Sequence, residues 1–329
     1  MSEYPVEISV VVPVYNSEKT LNELNGRLRA VLEGQLKKTF EVIFVDDHST
    51  DNSWAILEEL QRIDPRVKII RLIRNFGQHN ATICGFRHCS GEYVITMDDD
   101  LQHPPEEIPK LINKIEDGNN VVFGVFAHKK HNMFRNLGSG LINYLQNRIL
   151  GKPKQLYFTS FRVLRRKVVE QIADKAKSEY CYICADILKY AAQDKIANVR
   201  VEHHSRKAGH SNYTIIKLLS LASNLLINYS AIPLRFMICS GFAISAGCLV
   251  YALYVLLRVV FEGPIKIAGW ASLAFLTTFL FGMMFLFLGI LGEYIFRVLR
   301  ELSGNEPYII KETHGFEMPE QKKMDINEQ

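Results

Sequence analysis

The chain of 329 residues is short of several things. Its six cysteines (Cys84, Cys89, Cys181, Cys184, Cys239 and Cys248) lack the spacing of a disulfide framework, and two lie in apolar stretches, which excludes a cysteine-stapled scaffold and favours a reducing compartment. Charge of one sign is also scarce: 39 Lys and Arg against 35 Asp and Glu leave +4, too little to predict a nucleic-acid partner. With 48% hydrophobic and 22% charged residues, the chain is neither disordered nor collagen-like. The start, Met1-Ser-Glu-Tyr-Pro, has no basic segment followed by an apolar run, so no signal peptide is expected and the first two-thirds should stay in the cytosol.

Long hydrophobic runs, by contrast, are present. Phe236–Phe261 carries Arg258 as its one charge, and Ala268–Gly292 carries none. As helices they would extend roughly 37–39 Å, enough for a hydrocarbon core of about 30 Å with some tilt. The link around Gly263-Pro264 makes them a hairpin. Lys207, Lys217 and Arg235 before it, and Arg297 and Arg300 after it, place both termini in the cytoplasm. Arg258 dissents, but near a helix end it can snorkel to the head groups. Two amphipathic stretches, Met133–Leu150 and Tyr213–Asn228, fit helices lying on a bilayer, although ordinary core helices read the same way.

The earlier part alternates strand and helix. Strands are expected at Ile8–Val12, Phe40–Val45, Val67–Leu72 and Tyr93–Met97, with helices at Lys19–Leu36, Ser53–Ile63 and Gln78–Cys89. That rhythm predicts an α/β fold with a mainly parallel, Rossmann-like sheet, whose ligands bind beyond the carboxyl ends of the strands. Three polar clusters fall there. The first is Thr96-Met-Asp98-Asp99-Asp100-Leu-Gln102. Alternate residues of an extended segment share a face, so Asp98 and Asp100 point together, and adjacent carboxylates repel unless a cation lies between them. Mg²⁺ or Mn²⁺ takes carboxylate and diphosphate oxygens together, which gives Asp98 and Asp100 as metal ligands and catalytic residues, with Gln102 toward the donor or a metal-bound water. A solvated acidic loop or a helix cap would carry the same letters. The second cluster is Val10-Val-Val-Pro13-Val-Tyr15-Asn16 and the third Val45-Asp46-Asp47-His-Ser49-Thr-Asp51. Carboxylates there accept from ribose and base donors and Tyr15 offers a stacking face, though Ser49 or Asp51 also suits a helix cap.

With these clusters in that order, the chain resembles the family-2 glycosyltransferases of the GT-A fold. With Arg74-Asn-Phe-Gly-Gln-His79, Leu101-Gln-His-Pro-Pro-Glu-Glu-Ile-Pro109, Ser160-Phe-Arg162 and Leu291-Gly-Glu-Tyr294, it is similar to the polyisoprenyl-phosphate glycosyltransferases over nearly the whole chain. The resemblance implies inverting transfer of one sugar from a nucleotide sugar to a polyprenyl phosphate at the cytoplasmic membrane face, for glycan or cell-envelope assembly. It further implies Pro13, Tyr15, Val45, Asp46 and Asp47 at the nucleotide, and Asp98, Asp99, Asp100 and Gln102 at metal and diphosphate. Ser160, Arg162 and Arg206 would serve the acceptor phosphate, Arg206 also as a catalytic residue. The organisation expected is a catalytic domain over 1–211, a juxtamembrane helix over 212–235, a two-helix hairpin over 236–296 and a cytosolic tail over 297–329, in a homotetramer.

The chain departs from that pattern at Ser17, usually Glu, at Phe126, usually Arg, at Leu156, usually Asp, and at Asn212, usually Lys. A phosphate monoester is mostly dianionic at pH 7, its second pKa being about 6, so an acceptor of that kind needs no base where Leu156 stands. A sugar-hydroxyl acceptor would need one. A processive polysaccharide synthase is disfavoured because Gln-x-x-Arg-Trp is absent. The departures also allow a catalytically reduced, nucleotide-binding scaffold. Arg165 and Arg166 suit either phosphate or anionic lipid, and Cys181-x-x-Cys184 lacks the second pair that zinc would require.

Overall fold

A computed structural model describes residues 4–126, 146–176, 182–202, 232–262, 269–302 and 306–316, with single positions at 226 and 230. Arg206, the Gly209–Asn212 segment, Cys181, and nearly all of the two amphipathic stretches lie outside the described residues. The chain divides into two compact units, Met1–Tyr213 with Asn305–Gln329, and Thr214–Gly304.

The first unit is built on an eight-stranded sheet. Its strands are β1 (Val6–Val14), β2 (Phe40–Asp46), β3 (Val67–Leu72), β4 (Gly91–Thr96), β5 (Val121–Phe126), β6 (Arg162–Arg165), β7 (Ile196–Val201) and β8 (Ile310–His314). They lie in the order β7-β5-β6-β4-β1-β2-β3-β8. The β4-β1-β2-β3 centre is parallel, as is β5-β7, whereas β6 and β8 run against their neighbours. The central strands read as unbroken apolar runs because both faces are covered. Side chains alternate between the faces along each strand. Val10, Val12, Val42 and Phe44 enter one core with α1 (Leu21–Arg29), α2 (Ser53–Ile63) and α4 (Ile108–Glu116). Val11, Ile43 and Val45 enter the other with α3 (Gln78–His88), α5 (Arg166–Lys175) and α6 (Ile183–Tyr190). Helix α3 lies so close to β1 that a methyl added at Gly85 would sit 2.2 Å from Val11 Cγ1. That close approach fixes the start of α3 beside the strand ends.

Expectation and structure part at the C-terminus. Within the stretch expected as a cytosolic tail, residues 297–302 continue a helix and Ile310–His314 is a sheet strand of the first unit.

The second unit contains α7 (Ile232–Glu262, 31 residues) and α8 (Trp270–Leu302, 33 residues). Both outrun the expected spans. Within α8 the window Phe279–Phe296 has mean hydropathy 2.0, and it is the one described segment long and apolar enough to cross a membrane; the apolar part of α7, Ile232–Ile244, is shorter. Three polar side chains on these helices find partners within the unit. Ser240 Oγ donates to Phe236 O at 2.7 Å, Thr277 Oγ1 to Leu273 O at 2.8 Å, and the Tyr294 hydroxyl to Ser230 O at 3.1 Å.

Candidate active site

The carboxyl ends of β1, β2, β3 and β4 come out on one edge of the sheet, in register through Val14 with Asp46, Asp46 with Arg71, and Val11 with Thr96. Because β6 is antiparallel to β4 and pairs Arg162 with Thr96, residues 158–161 reach the same edge. The three expected polar clusters and Ser160 are therefore brought together. Each of the loops after β1, β2 and β4 contains a non-glycine residue in the left-handed region: Asn16 (φ 54°), His48 (φ 64°) and Leu101 (φ 60°). Such conformations cost energy and persist where the surroundings hold them, and here they recur once in each loop.

Asp98 is the hub. Its Oδ1 accepts from the Gln78 side-chain amide at 2.5 Å, and its Oδ2 from the Ser160 hydroxyl at 2.6 Å. Thr96 Oγ1 donates to Ser160 O at 2.6 Å, which holds that serine in place. His103 Nδ1 stands 3.8 Å from Asp98 Oδ2, its ring stacked between Phe126 and Phe161 at centroid distances of 5.3 Å each. Asp100 Oδ1 accepts the Gln102 backbone N–H at 3.1 Å, closing the turn through Leu101. Asp99 turns toward the β1 loop, accepting the Tyr15 N–H at 3.1 Å and the Ser17 hydroxyl. Burial, resisted by those two donors, pushes its carboxyl up to about 7, with Asp98 and Asp100 adding like charge.

The residues expected to grip the nucleotide divide into two groups. Tyr15 is 48% exposed at the edge and presents a ring. Pro13 and Val45 are buried and pair with each other within the sheet. Asp46 and Asp47 are also buried, and instead of standing open to a ligand their side chains are engaged by the protein's own loop amides. Asp47 accepts the Phe76 N–H at 2.7 Å and the Gly77 N–H at 2.8 Å, and Asp46 accepts the Ser49 N–H at 3.1 Å. Loop amides without a ladder partner need an acceptor, and strand-end carboxylates supply it. Burial raises both carboxyls while these amide donors lower them. The same economy joins the β1 and β2 loops: Asn16 N–H donates to Ser49 Oγ (3.0 Å), Thr50 N–H to Asn16 Oδ1 (2.8 Å) and Glu18 N–H to Asp51 Oδ2 (3.1 Å). Asp51 Oδ1 also accepts the Ser53 N–H at 3.0 Å, the capping role considered for it.

Arg162 is a second correction. It is 3% exposed, and its guanidinium turns inward, donating to Thr96 Oγ1 at 3.1 Å and to Cys184 Sγ at 3.3 Å, rather than outward to an acceptor phosphate. Burial and this nearby positive charge lower the His79 imidazole to about 4, against a pull upward from Asp98. Arg165 lies at the opposite end of β4, paired with Tyr93 and donating to Asn119 O at 2.9 Å; Arg166 holds Glu170 at 2.9 Å and the Cys89 carbonyl. Leu156 packs into the core, so no carboxylate stands there. Gln78 and His103 are site residues that sequence reasoning quoted within motifs without assigning. Their signal is their place in the segments that lead away from the carboxyl ends of β3 and β4.

A divalent cation fits this donor set. Asp98 and Asp100 offer hard carboxylate oxygens, each hydrogen-bonded oxygen retains lone pairs, and Asp99 is withdrawn toward the β1 loop. Among the described residues no group of three His, Cys, Asp or Glu side chains converges on one point, so a cation held here would take further ligands from substrate and water.

A mainly parallel sheet with oxygen-rich loops at its carboxyl edge defines the GT-A nucleotide-diphospho-sugar transferase fold, and solved structures agree. Glucosyl-3-phosphoglycerate synthase from Mycobacterium tuberculosis, crystallised with Mn²⁺, uridine-diphosphate-glucose and phosphoglyceric acid, matches with TM-score 0.50 and 16% identity over 68% of this chain and 78% of that one. Its complex with Mn²⁺, uridine diphosphate and phosphoglyceric acid matches with TM-score 0.51, 17% identity, and coverage of 68% and 77%. Residues 9–173 match the model of glycosyl transferase family 2, and the chain belongs to that family. Curated relatives named undecaprenyl-phosphate 4-deoxy-4-formamido-L-arabinose transferase include that of Yersinia enterocolitica serotype O:8 / biotype 1B, 36% identical over 324 residues and 97% of each chain. Another, from Proteus mirabilis (strain HI4320), is 35% identical over 317 residues and 95% of each chain.

Proposed function

We propose that this protein transfers a single sugar, with inversion, from a nucleotide-sugar donor to a polyprenyl phosphate at the cytoplasmic face of a membrane. The observation that carries the reading is the Asp98 carboxylate, held by Gln78 and Ser160 at the edge where four strand ends open, in a chain similar over 97% of its length to a curated undecaprenyl-phosphate sugar transferase. Tyr15 stacks on the base, and Asp46 and Asp47 shape the loops around it rather than touching it. Asp98 and Asp100 hold Mg²⁺ or Mn²⁺, with Gln102 beside them; when bound, the ion neutralises the departing diphosphate. Gln78 and Ser160 orient Asp98 for that task and exclude alternative rotamers.

The acceptor arrives as a dianion, its second pKa being about 6, so no side chain has to remove a proton before attack. Leu156 in the core is compatible with that chemistry and incompatible with activation of a hydroxyl there. Arg206 faces the acceptor phosphate in this reading. Arg162 contributes a buried positive charge beside His79 rather than a direct contact. Helices α7 and α8 form the two spans of an integral-membrane anchor with both termini cytoplasmic.

The test is a panel of nucleotide sugars with Mn²⁺, a short polyprenyl phosphate and the full-length chain in nanodiscs. Formation of a lipid-phosphate sugar is expected, and Asp100→Ala lowers turnover by about 100-fold or more, as loss of transition-state charge stabilisation does. Metal-dependent nucleotide binding without turnover on any donor would instead make the protein a nucleotide-binding scaffold.

A further inference from the structure

Strand β8 lies far beyond the site residues in sequence, yet its first residue, Ile310, stands beside Leu72 at the carboxyl end of β3, on the nucleotide side of the sheet. It pairs antiparallel to β3 with Glu312 opposite Arg71, and the pairing continues past β3 because the Ile73 N–H donates to Ile309 O at 3.0 Å. The loop 74–77, which leads into α3 and so places Gln78 beside Asp98, thus leaves from a strand held on both sides. Arg71 is the crossing point. Its Nη1 donates to Glu312 Oε1 at 3.3 Å, its Nε stands 3.4 Å from Asp46 Oδ2, and its guanidinium lies 5.2 Å from the Trp54 ring centroid. Asp46 is wholly buried. Its Oδ2 makes no hydrogen bond among the described residues, so Arg71 is the charge that answers it. Its Oδ1 holds the Ser49 N–H, and Ser49 Oγ holds the Asn16 N–H beside Tyr15.

An arginine near a sheet edge has many rotamers, and one carboxylate at 3.4 Å does not select among them strongly. Glu312 supplies the second anchor from the far side. We propose that β8 is a working part of the donor-nucleotide half of the site, with Glu312 as a positioning residue that acts through Arg71 and Asp46 on the loops bearing Ser49 and Tyr15. The proposal rests on the nucleotide-sugar reading above. It assigns to residues following the last helix a role in donor affinity, where an appended tail would have none.

The experiment uses the full-length protein in nanodiscs with Mn²⁺, titrated calorimetrically with UDP, GDP and dTDP, alongside steady-state kinetics on the donor that turns over. Glu312→Gln is expected to weaken the bound nucleotide about threefold, the size of a partly exposed ion pair, raising donor KM by the same factor while kcat stays within about twofold. Arg71→Gln weakens it about tenfold because a buried carboxylate loses its counter-charge. Combining the two gives the Arg71→Gln value, since Glu312 has nothing left to act through. Glu306→Gln, which breaks the 2.5 Å pair with Arg87 on the same C-terminal segment, leaves affinity unchanged. Wild-type affinity in Glu312→Gln, full additivity in the double variant, or an equal loss in Glu306→Gln would each overturn the proposal. Failure of the wild type to bind any of the three nucleotides would overturn the donor reading itself, and this inference with it.

Discussion

In the sheet unit Phe44, Phe86, Phe123 and Phe161 are shut away from solvent, whereas on α7 and α8 Phe242, Phe261, Phe281 and Phe285 are each more than half exposed. The same residue type is used in opposite ways within one chain. The sheet unit removes its apolar side chains from water by folding them against one another. The helices leave theirs pointing outward and bring their polar groups back onto their own backbone, as Ser240 and Thr277 do, which is the arrangement a hydrocarbon surrounding requires. Polar chemistry is sorted just as sharply. All ten histidines lie outside residues 232–302, and the carboxylates that organise the site sit at the strand ends of the sheet unit. The strand ends of the sheet unit hold Asp98 between two donors, while the helices of the other unit turn apolar flanks outward.

The comparison is sharpest at the phenylalanines. Phe44→Ala should destabilise the sheet unit by about 3–5 kcal/mol, measured by denaturant unfolding, because the cavity forms inside a packed core. Phe281→Ala, at a side chain 57% exposed, should cost less than about 1 kcal/mol in the same measurement. Equal costs would mean that the helix surface is packed in solution. Next in size is Phe285→Arg, near the middle of the apolar window, where a charge costs about 2.5–3.5 kcal/mol to insert; the fraction of protein recovered with membranes should fall. An unchanged membrane fraction would remove α8 as the anchor. The last prediction concerns pH. Folded His79 holds its proton only below about 4, while an unfolded chain takes it up near 6.5. Between those values the unfolded state binds more protons, so stability falls as pH drops through that window. His79→Gln should flatten the slope between pH 6.5 and 4 in thermal unfolding, and an unchanged slope would place the acid sensitivity elsewhere.

The strands after which chemistry appears were legible because β-branched runs such as Ile8–Val12 and Phe40–Val45 admit few other structures and end at polar residues. The clustering of Tyr15, Asp98 and Asp100 followed from the alternation of strands and helices, whereas Ser160 joins them through the antiparallel pairing of β6 with β4, a strand the sequence pattern does not announce. What the two acids of Val45-Asp46-Asp47 would touch did not, because a carboxylate at a strand end serves a ligand or a loop amide equally well as far as sequence goes. Arg162 misled for a similar reason: its type suits phosphate, but the antiparallel pairing of β6 with β4 turns it toward Thr96 and Cys184.

The amino-acid order by itself determined the alternation of strands and helices, the triple acid at the end of β4 and the two apolar stretches, since each rests on periodicity or on runs of neighbouring residues. Only the tertiary structure decided that residues 310–314 become an edge strand of the sheet, that Asp46 and Asp47 turn inward, and that Gln78 and Ser160 share Asp98. Those outcomes depend on which distant donor meets which acceptor once the chain has closed, and no local pattern encodes that meeting.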